Sequence, residues 1–274
     1  MLRTLKSSIQ FVLVAVLAVS LSACAGFGLF GEKKIVEEEI IPAEELYDKA
    51  IAQVEDQRFL SAQKTFDKLE RQHPYSEYSE RSRLMTVYIN ARTGQYDKTI
   101  LSADRFLALY PSSEDAPYAM YMKGAAQYNQ MKDITRDQQT AEDAIATFQS
   151  IINNYPNSRY AKDAKERILI AKDQLAGKEM SVGRYYLGNN NYTAAINRFR
   201  NVVENHQTST HVEEALLRLT EAYLALGLVN EAKTSAAVLG HNYPSSQWYD
   251  DAYKLLQKQG LAPEVAKGNW LSDR

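Results

Sequence analysis

AIATFQSIINNYPNS occupies residues 144–158. Ala144 and Phe148 stand one helical turn apart, and Pro156 comes eight residues after the phenylalanine, preceded by Tyr155. An alanine lets two helices approach closely, and the phenylalanine fills the groove beside it. Proline then stops the helix, because it lacks an N–H and disfavours helical geometry in the residue before it. The stretch reads as the second helix of a helical hairpin together with its terminator.

Working outward, the same register recurs. Phe59, Ala62, Phe66 and Pro74 make the first copy, and Tyr96, Thr99, Ala103 and Pro111 the second. Ala141, Ala144, Phe148 and Pro156 are the third, Tyr192, Ala195, Phe199 and Gln207 the fourth, and Val229, Ala232, Ala236 and Pro244 the fifth. The internal spacing never slips, and successive terminators lie 37, 45, 51 and 37 residues apart, the range of a helical-hairpin solenoid. Alanine, three residues, phenylalanine and a later proline is the signature of a tetratricopeptide second helix. The expected fold is therefore all-α, a tetratricopeptide-type solenoid of five hairpins. YPSS at 110–113 and 243–246 and YPNS at 155–158 are its punctuation, proline ending one helix and serine capping the next. HPYS at 73–76 and HQTS at 206–209 are reduced versions.

Two intervals are long. The second holds MKDITRDQQT at 131–140, a polar interruption expected as a loop projecting from one face. The third carries 14 extra residues, yet Arg159 to Leu187 contains no proline and only Gly177 and Gly183. Fourteen residues are close to four helical turns, so an added stretch keeps the apolar face in phase. This predicts one elongated helix near 159–188 joining front repeats 1–3 (43–157) to rear repeats 4–5 (158–257), with a tail at 258–274. A flexible linker between two domains is the alternative.

The N-terminus follows other rules. Arg3 and Lys6 precede an apolar run from Ile9 to Val19 broken only by Gln10, then Leu21-Ser22-Ala23-Cys24, the layout of an export signal over 1–23. The run is shorter than the roughly 20 apolar residues a spanning helix needs. LSAC resembles the lipobox of bacterial lipoproteins, whose cysteine carries the lipid. Cys24 is the only cysteine, so a disulfide framework is excluded, and a residue directly ending a cleaved signal has nothing to pack against as a buried thiol. The resemblance implies three acyl chains, where two membrane signals already anchor stably, and Ala25 rather than Asp after the cysteine implies the outer membrane, periplasmic face. Residues 24–42, glycines, an acidic run and Pro42, read as a lipidated tether of roughly 60 Å when extended.

Composition narrows the function. Net charge is −2 overall and −4 without the signal, and residues 25–45 alone account for −4, so the repeats are neutral and lack the basic footprint of a nucleic-acid binder. No phosphate loop, G-x-S-x-G or H-E-x-x-H motif occurs, and His206 and His211, five apart across a repeat boundary, are poorly spaced for a metal pair. No catalytic residue, metal or cofactor is expected. What remains is surface. The 18 tyrosines include many on first helices, Tyr186 and Tyr223 among them, and first helices line the concave side of such a solenoid. Tyr47, Tyr88, Tyr118, Tyr121 and Tyr128 with Arg81 and Arg92 make a candidate groove, aromatic with cationic points, for an extended peptide carrying aromatic and carboxylate features. Simple helix–helix packing is the alternative for about half of these tyrosines.

YPNSRYAKDA at 155–164, ALYPSSEDAPYAMYMKGAAQY at 108–128 and AEELYDKAIAQVEDQRFLSAQKTF at 43–66 resemble the BamD family, lipoproteins of the machine that inserts β-barrels into the bacterial outer membrane. The similarity runs from the lipobox to about residue 256. It implies a scaffold without turnover, whose rear repeats dock a POTRA domain of the barrel subunit BamA and whose front groove receives a targeting segment of unfolded outer-membrane proteins. Asn197-Arg198 matches a polar pair on a rear helix of the family, which makes Arg198 an expected partner contact. The 131–140 insertion and the tail with Trp270 depart from the family pattern and leave contact with other assembly lipoproteins open. The rival class is an independent periplasmic adaptor for cell-wall or division proteins.

Overall fold

The computed structural model describes residues 39–134 and 136–261; the signal segment, Cys24, the tether up to residue 38 and Trp270 lie outside the described residues. The chain divides into two units after Ile41, and every helix described belongs to the second. Five antiparallel pairs follow one another: α1 (Ala43–Glu55) with α2 (Phe59–Gln72), α3 (Ser79–Arg92) with α4 (Tyr96–Leu109), α5 (Ala116–Asn129) with α6 (Gln139–Asn154), α7 (Tyr160–Gly188) with α8 (Tyr192–Asn205), and α9 (Val212–Ala225) with α10 (Val229–Asn242). No strand occurs among the described residues. A lone helix, α11 (Gln247–Lys258), closes the stack by laying Ala252 and Leu256 on the last pair's core.

The repeat register is the core. Ala62, Thr99, Ala144, Ala195 and Ala232 are fully buried, and so, one turn on, are Phe66, Ala103, Phe148, Phe199 and Ala236. Each buried phenylalanine is worth about 1.5–3 kcal/mol relative to exposure, which outweighs the weak helix preference of an aromatic. Within four hairpins the turn holds one left-handed residue, Gln57, Gly94, Asn190 or Gly227. Between hairpins one turn is built five times. His73, Tyr110, Tyr155, His206 and Tyr243 end their helices with φ between −128° and −137°, and the carbonyl of each accepts the N–H three residues on, from Ser76, Ser113, Ser158, Ser209 and Ser246. Gln207 shows that the turn forms without proline, because its two ends are fixed by the packed helices.

The serines cap less than expected. Only Ser246 serves as an N-cap, accepting from the Trp248 N–H. Ser113 and Ser209 accept from Asp115 and His211 inside the turn, and Ser158 Oγ is buried without a partner, because α5, α7 and α9 begin two or three residues beyond the serine.

α7 is a single helix of 29 residues, so no flexible linker divides the repeats. Its burial stripe changes partner half-way. Ala164 and Ile168 join the core of α6 around Phe148 and Ile151, whereas Ala176 and Met180 join the large rear core of α8–α11. First helices α3, α5, α7, α9 and α11 also touch one another in succession, with no comparable contact between successive second helices. First helices therefore occupy the tightly spaced side of the stack.

The 131–140 segment does not project. Gln174 Nε2 of α7 donates to the Lys132 carbonyl at 2.6 Å and to Gln138 Oε1 at 2.8 Å, while Gln138 donates back to the Asp133 and Arg136 carbonyls. Gly177 lies close enough to Ile134 and His211 that an added Cβ would sit 3.6 Å from the first and 3.1 Å from the second. The physical reason is the long helix: four extra turns leave the middle of α7 bare, and the inserted loop covers one side of it. The turn before α9 takes the other side, with Thr210 donating through its N–H and hydroxyl to Asp173 at 2.7 and 3.0 Å.

Candidate functional site

The front surface is built on α5. Tyr118, Tyr121 and Tyr128 recur at intervals of three and seven, which puts them on one helix face, and the neighbouring face of α7 supplies Tyr160, Asp163 and Arg167, again three and four residues apart. Tyr121 stacks on Tyr160 with ring centroids 5.0 Å apart, and Tyr118 approaches the same ring at 5.8 Å. Tyr121 Oη donates to Asp163 Oδ2, which also accepts from Arg167 Nε at 2.6 Å. The Arg167 guanidinium lies 5.1 Å from the Tyr128 ring and 5.7 Å from that of Tyr121.

Electrostatics follow from this packing. Burial pushes the Tyr118 hydroxyl up to about 12, helped by Tyr160 and Tyr88. Burial and the bond to Asp163 raise Tyr121 as well. Burial alone raises the Asp163 carboxyl, but the hydrogen bonds from Tyr121 and Arg167 outweigh it and hold the group below the usual carboxylate value. Arg167 is thus committed to its own protein.

Beside this cluster, Tyr88 and Arg92 of α3 meet Tyr96, Tyr118 and Asn129 around a cleft of about 220 Å³. The sequence-derived groove residues are distributed accordingly. Tyr88, Arg92 and Tyr118 share the cleft, Tyr121 and Tyr128 lie in the Asp163–Arg167 cluster, and Tyr47 stacks apart from both, 5.0 Å from Tyr78. Arg81 is exposed and lines none of these spaces. Arg81 and Arg92 make no ion pair among the described residues, and Arg159 donates to the Tyr160 hydroxyl at 2.6 Å with its guanidinium 4.9 Å from that ring. The free Arg92 guanidinium at the rim of this aromatic cleft can take a carboxylate while a neighbouring ring takes an apolar or aromatic side chain.

The rear surface lies on α8. Arg198 reaches both carboxylate oxygens of Glu179 on α7 at 3.3 and 3.4 Å, a loose pair with the arginine 45% exposed. Asn197, Tyr186, Asn201 and the Arg200–Glu204 pair complete an open pocket of about 510 Å³. A more apolar cleft of about 470 Å³ adjoins it, floored by Val203, Leu216, Leu219, Tyr223 and Val238. Among the described residues no group of His, Cys, Asp and Glu is arranged to hold a metal. Burial lowers the His206 pKa against the pull of Glu179; the residue ends α8, while His211 sits at α7 beside Asp173.

Tyr160, Asp163 and Arg167 were missed by sequence reasoning, which paired the α5 tyrosines with Arg81 and Arg92. The signal was present in YAKDAKER (160–167), whose tyrosine, aspartate and arginine share a face of the predicted long helix.

A family model described as "outer membrane lipoprotein" (YfiO) matches residues 40–239. The chain is 45% identical to the outer membrane protein assembly factor BamD of Caulobacter vibrioides, over 97% of this chain and 86% of that one. It is 38% identical to the protein of the same name from Rickettsia prowazekii, over 82% and 90% of the two chains. The counterpart in Neisseria meningitidis serogroup A is 30% identical over 89% and 95%.

Proposed function

The chain belongs to the BamD family of outer membrane lipoproteins, and from that premise we propose that it is a non-catalytic scaffold of outer membrane protein assembly. It is held at the periplasmic face of the outer membrane by lipid on Cys24. Its rear repeats bind the POTRA region of a BamA-type barrel protein, with Arg198 at the contact, and its front cleft takes targeting segments of unfolded outer-membrane proteins. Other assembly lipoproteins are further partners.

The observation that carries this reading is the division of labour along one continuous helix. α7 presents Tyr160, with Arg159 at its N-cap, beside the front tyrosines at one end and Glu179 and Tyr186 beside Arg198 at the other. A stiff rod between two polar-aromatic surfaces holds two partners at a fixed separation, which is what a scaffold needs and an enzyme does not. Arg92 adds an uncommitted cation at the front cleft, suited to the carboxylate of an extended peptide.

Co-purification tests it. The lipidated full chain, drawn from detergent-solubilised membranes, should bring along a large barrel protein with POTRA domains, and its depletion should strip barrel proteins from the outer membrane. Absence of that partner, with normal barrel content and a division or wall defect on depletion, would favour the independent adaptor instead.

A further inference from the structure

The first half of α7 repeats the pattern of α5. Counting from the turn serines Ser113 and Ser158, the buried Ala116, Ala119 and Ala126 of α5 fall on Ala161, Ala164 and Ala171 of α7, all buried too. In this alignment Leu169 stands where α5 has Gly124. Fourteen residues later, Gly183 stands in the same place again. At Gly124 the ring of Phe148 from the paired second helix comes so near that an added Cβ would lie 2.8 Å from it, and at Gly183 the ring of Phe199 does the same. Leu169 has no such cover. It is 53% exposed, and its neighbour Ile170 is 55% exposed, because α8 pairs only with the second half of α7.

The charges beside this bare strip are one-sided. Lys162, Lys165 and Lys172 lie three, four or seven residues from Leu169, on one face of the helix. All three are exposed and make no ion pair among the described residues. Of the carboxylates on this half of α7, Asp163 holds Tyr121 and Arg167 and Asp173 holds Thr210, which leaves Glu166 without an ion pair among the described residues.

We propose that the first half of α7 is a vacant second-helix seat, filled by an amphipathic acidic helix of a partner protein. Its position in the register favours a helix lying antiparallel to α7, as α6 lies on α5. A leucine in place of glycine calls for a small side chain opposite it, where α6 and α8 bring phenylalanine. Carboxylates flanking that small residue complement the three ammonium groups. A second copy of this chain fits poorly, because a symmetric pairing would set lysines against lysines. The surface is separate from the front cleft and from Arg198, so the two can fail independently.

Photo-crosslinking in the producing cells tests the seat on the full lipidated chain. Leu169 is replaced by p-benzoyl-phenylalanine, and Leu60, 70% exposed on α2, receives the same probe as comparison. The expected result is an adduct at 169, absent at 60, that maps to an acidic helical stretch of another protein. Combined Lys162→Glu, Lys165→Glu and Lys172→Glu should lower its yield about tenfold, and Lys165→Glu alone, a single exposed change, should lower it in the same direction. An adduct no stronger than at 60, one formed with lipid or with a second copy, or one indifferent to charge reversal would overturn the proposal.

Discussion

The ring of Phe199 rests on the backbone of Gly183 so closely that a methyl group there would overlap it. Phe148 and Gly124 repeat the arrangement one hairpin earlier. In these two hairpins the phenylalanine is therefore half of a contact whose other half is an absence of side chain on the first helix, whereas Phe66 meets Ala50 in the first. Gly183→Ala should destabilise the protein by about 1–3 kcal/mol, as overpacking does. Gly188→Ala, at the end of the same helix and facing open space, should not destabilise it. Urea unfolding followed by circular dichroism checks both, and equal midpoints for the two variants would contradict the contact's importance.

Hairpin turns offer a second test. Gln57 has φ of 58°, and Gly94 takes φ of 68° in the next hairpin with nothing near its missing Cβ. A side chain in the left-handed region costs about 1–2 kcal/mol. Gln57→Gly should thus raise stability by a few tenths to about 1 kcal/mol after the entropy glycine adds to the unfolded chain, and Gly94→Ala should lower it by about 1 kcal/mol.

Asp163 makes stability depend on acid. Its folded-state pKa lies below the ordinary value because Tyr121 and Arg167 favour the carboxylate over the opposing effect of burial. A depressed carboxylate stabilises above its unfolded pKa, about 3.9, and that stabilisation is lost as pH falls through the lower folded value. The stability gap between the native protein and Asp163→Asn should stay constant from pH 7 to about 5 and shrink below about pH 4. A gap that holds its size down to pH 2 would show that this carboxylate is not what those bonds favour.

The inserted loop hangs on Gln174. Gln174→Leu leaves the Lys132 carbonyl and Gln138 Oε1 without that donor, at a cost of about 0.5–1.5 kcal/mol. Limited proteolysis should then cut within residues 131–138 faster than in the native chain, with the helical signal unchanged.

Anchoring and partner binding should separate cleanly. Cys24→Ser is expected to move the chain from the membrane fraction to the soluble periplasm, while Arg198→Glu stays with the membrane and no longer retains the POTRA-bearing partner. The charge reversal sets a carboxylate against Glu179 at an exposed site, so the fold should be kept. Loss of both properties in either variant would count against the assignment.

Much of this was legible along the chain because repeats write their contacts locally. Ala144, Phe148 and Pro156 interact within one hairpin or end one helix, so spacing alone announces them, and an uninterrupted run from Arg159 to Leu187 announces the long helix. Residues whose roles depend on which elements meet stayed hidden. Asp163 and Arg167 gain their meaning from α5, the 131–140 loop folds inward only because α7 leaves a bare flank, and Leu169 is exposed only because α8 pairs further along. A fixed period determines contacts between near neighbours in sequence, and tertiary structure decides everything that requires two distant faces to be brought to van der Waals distance.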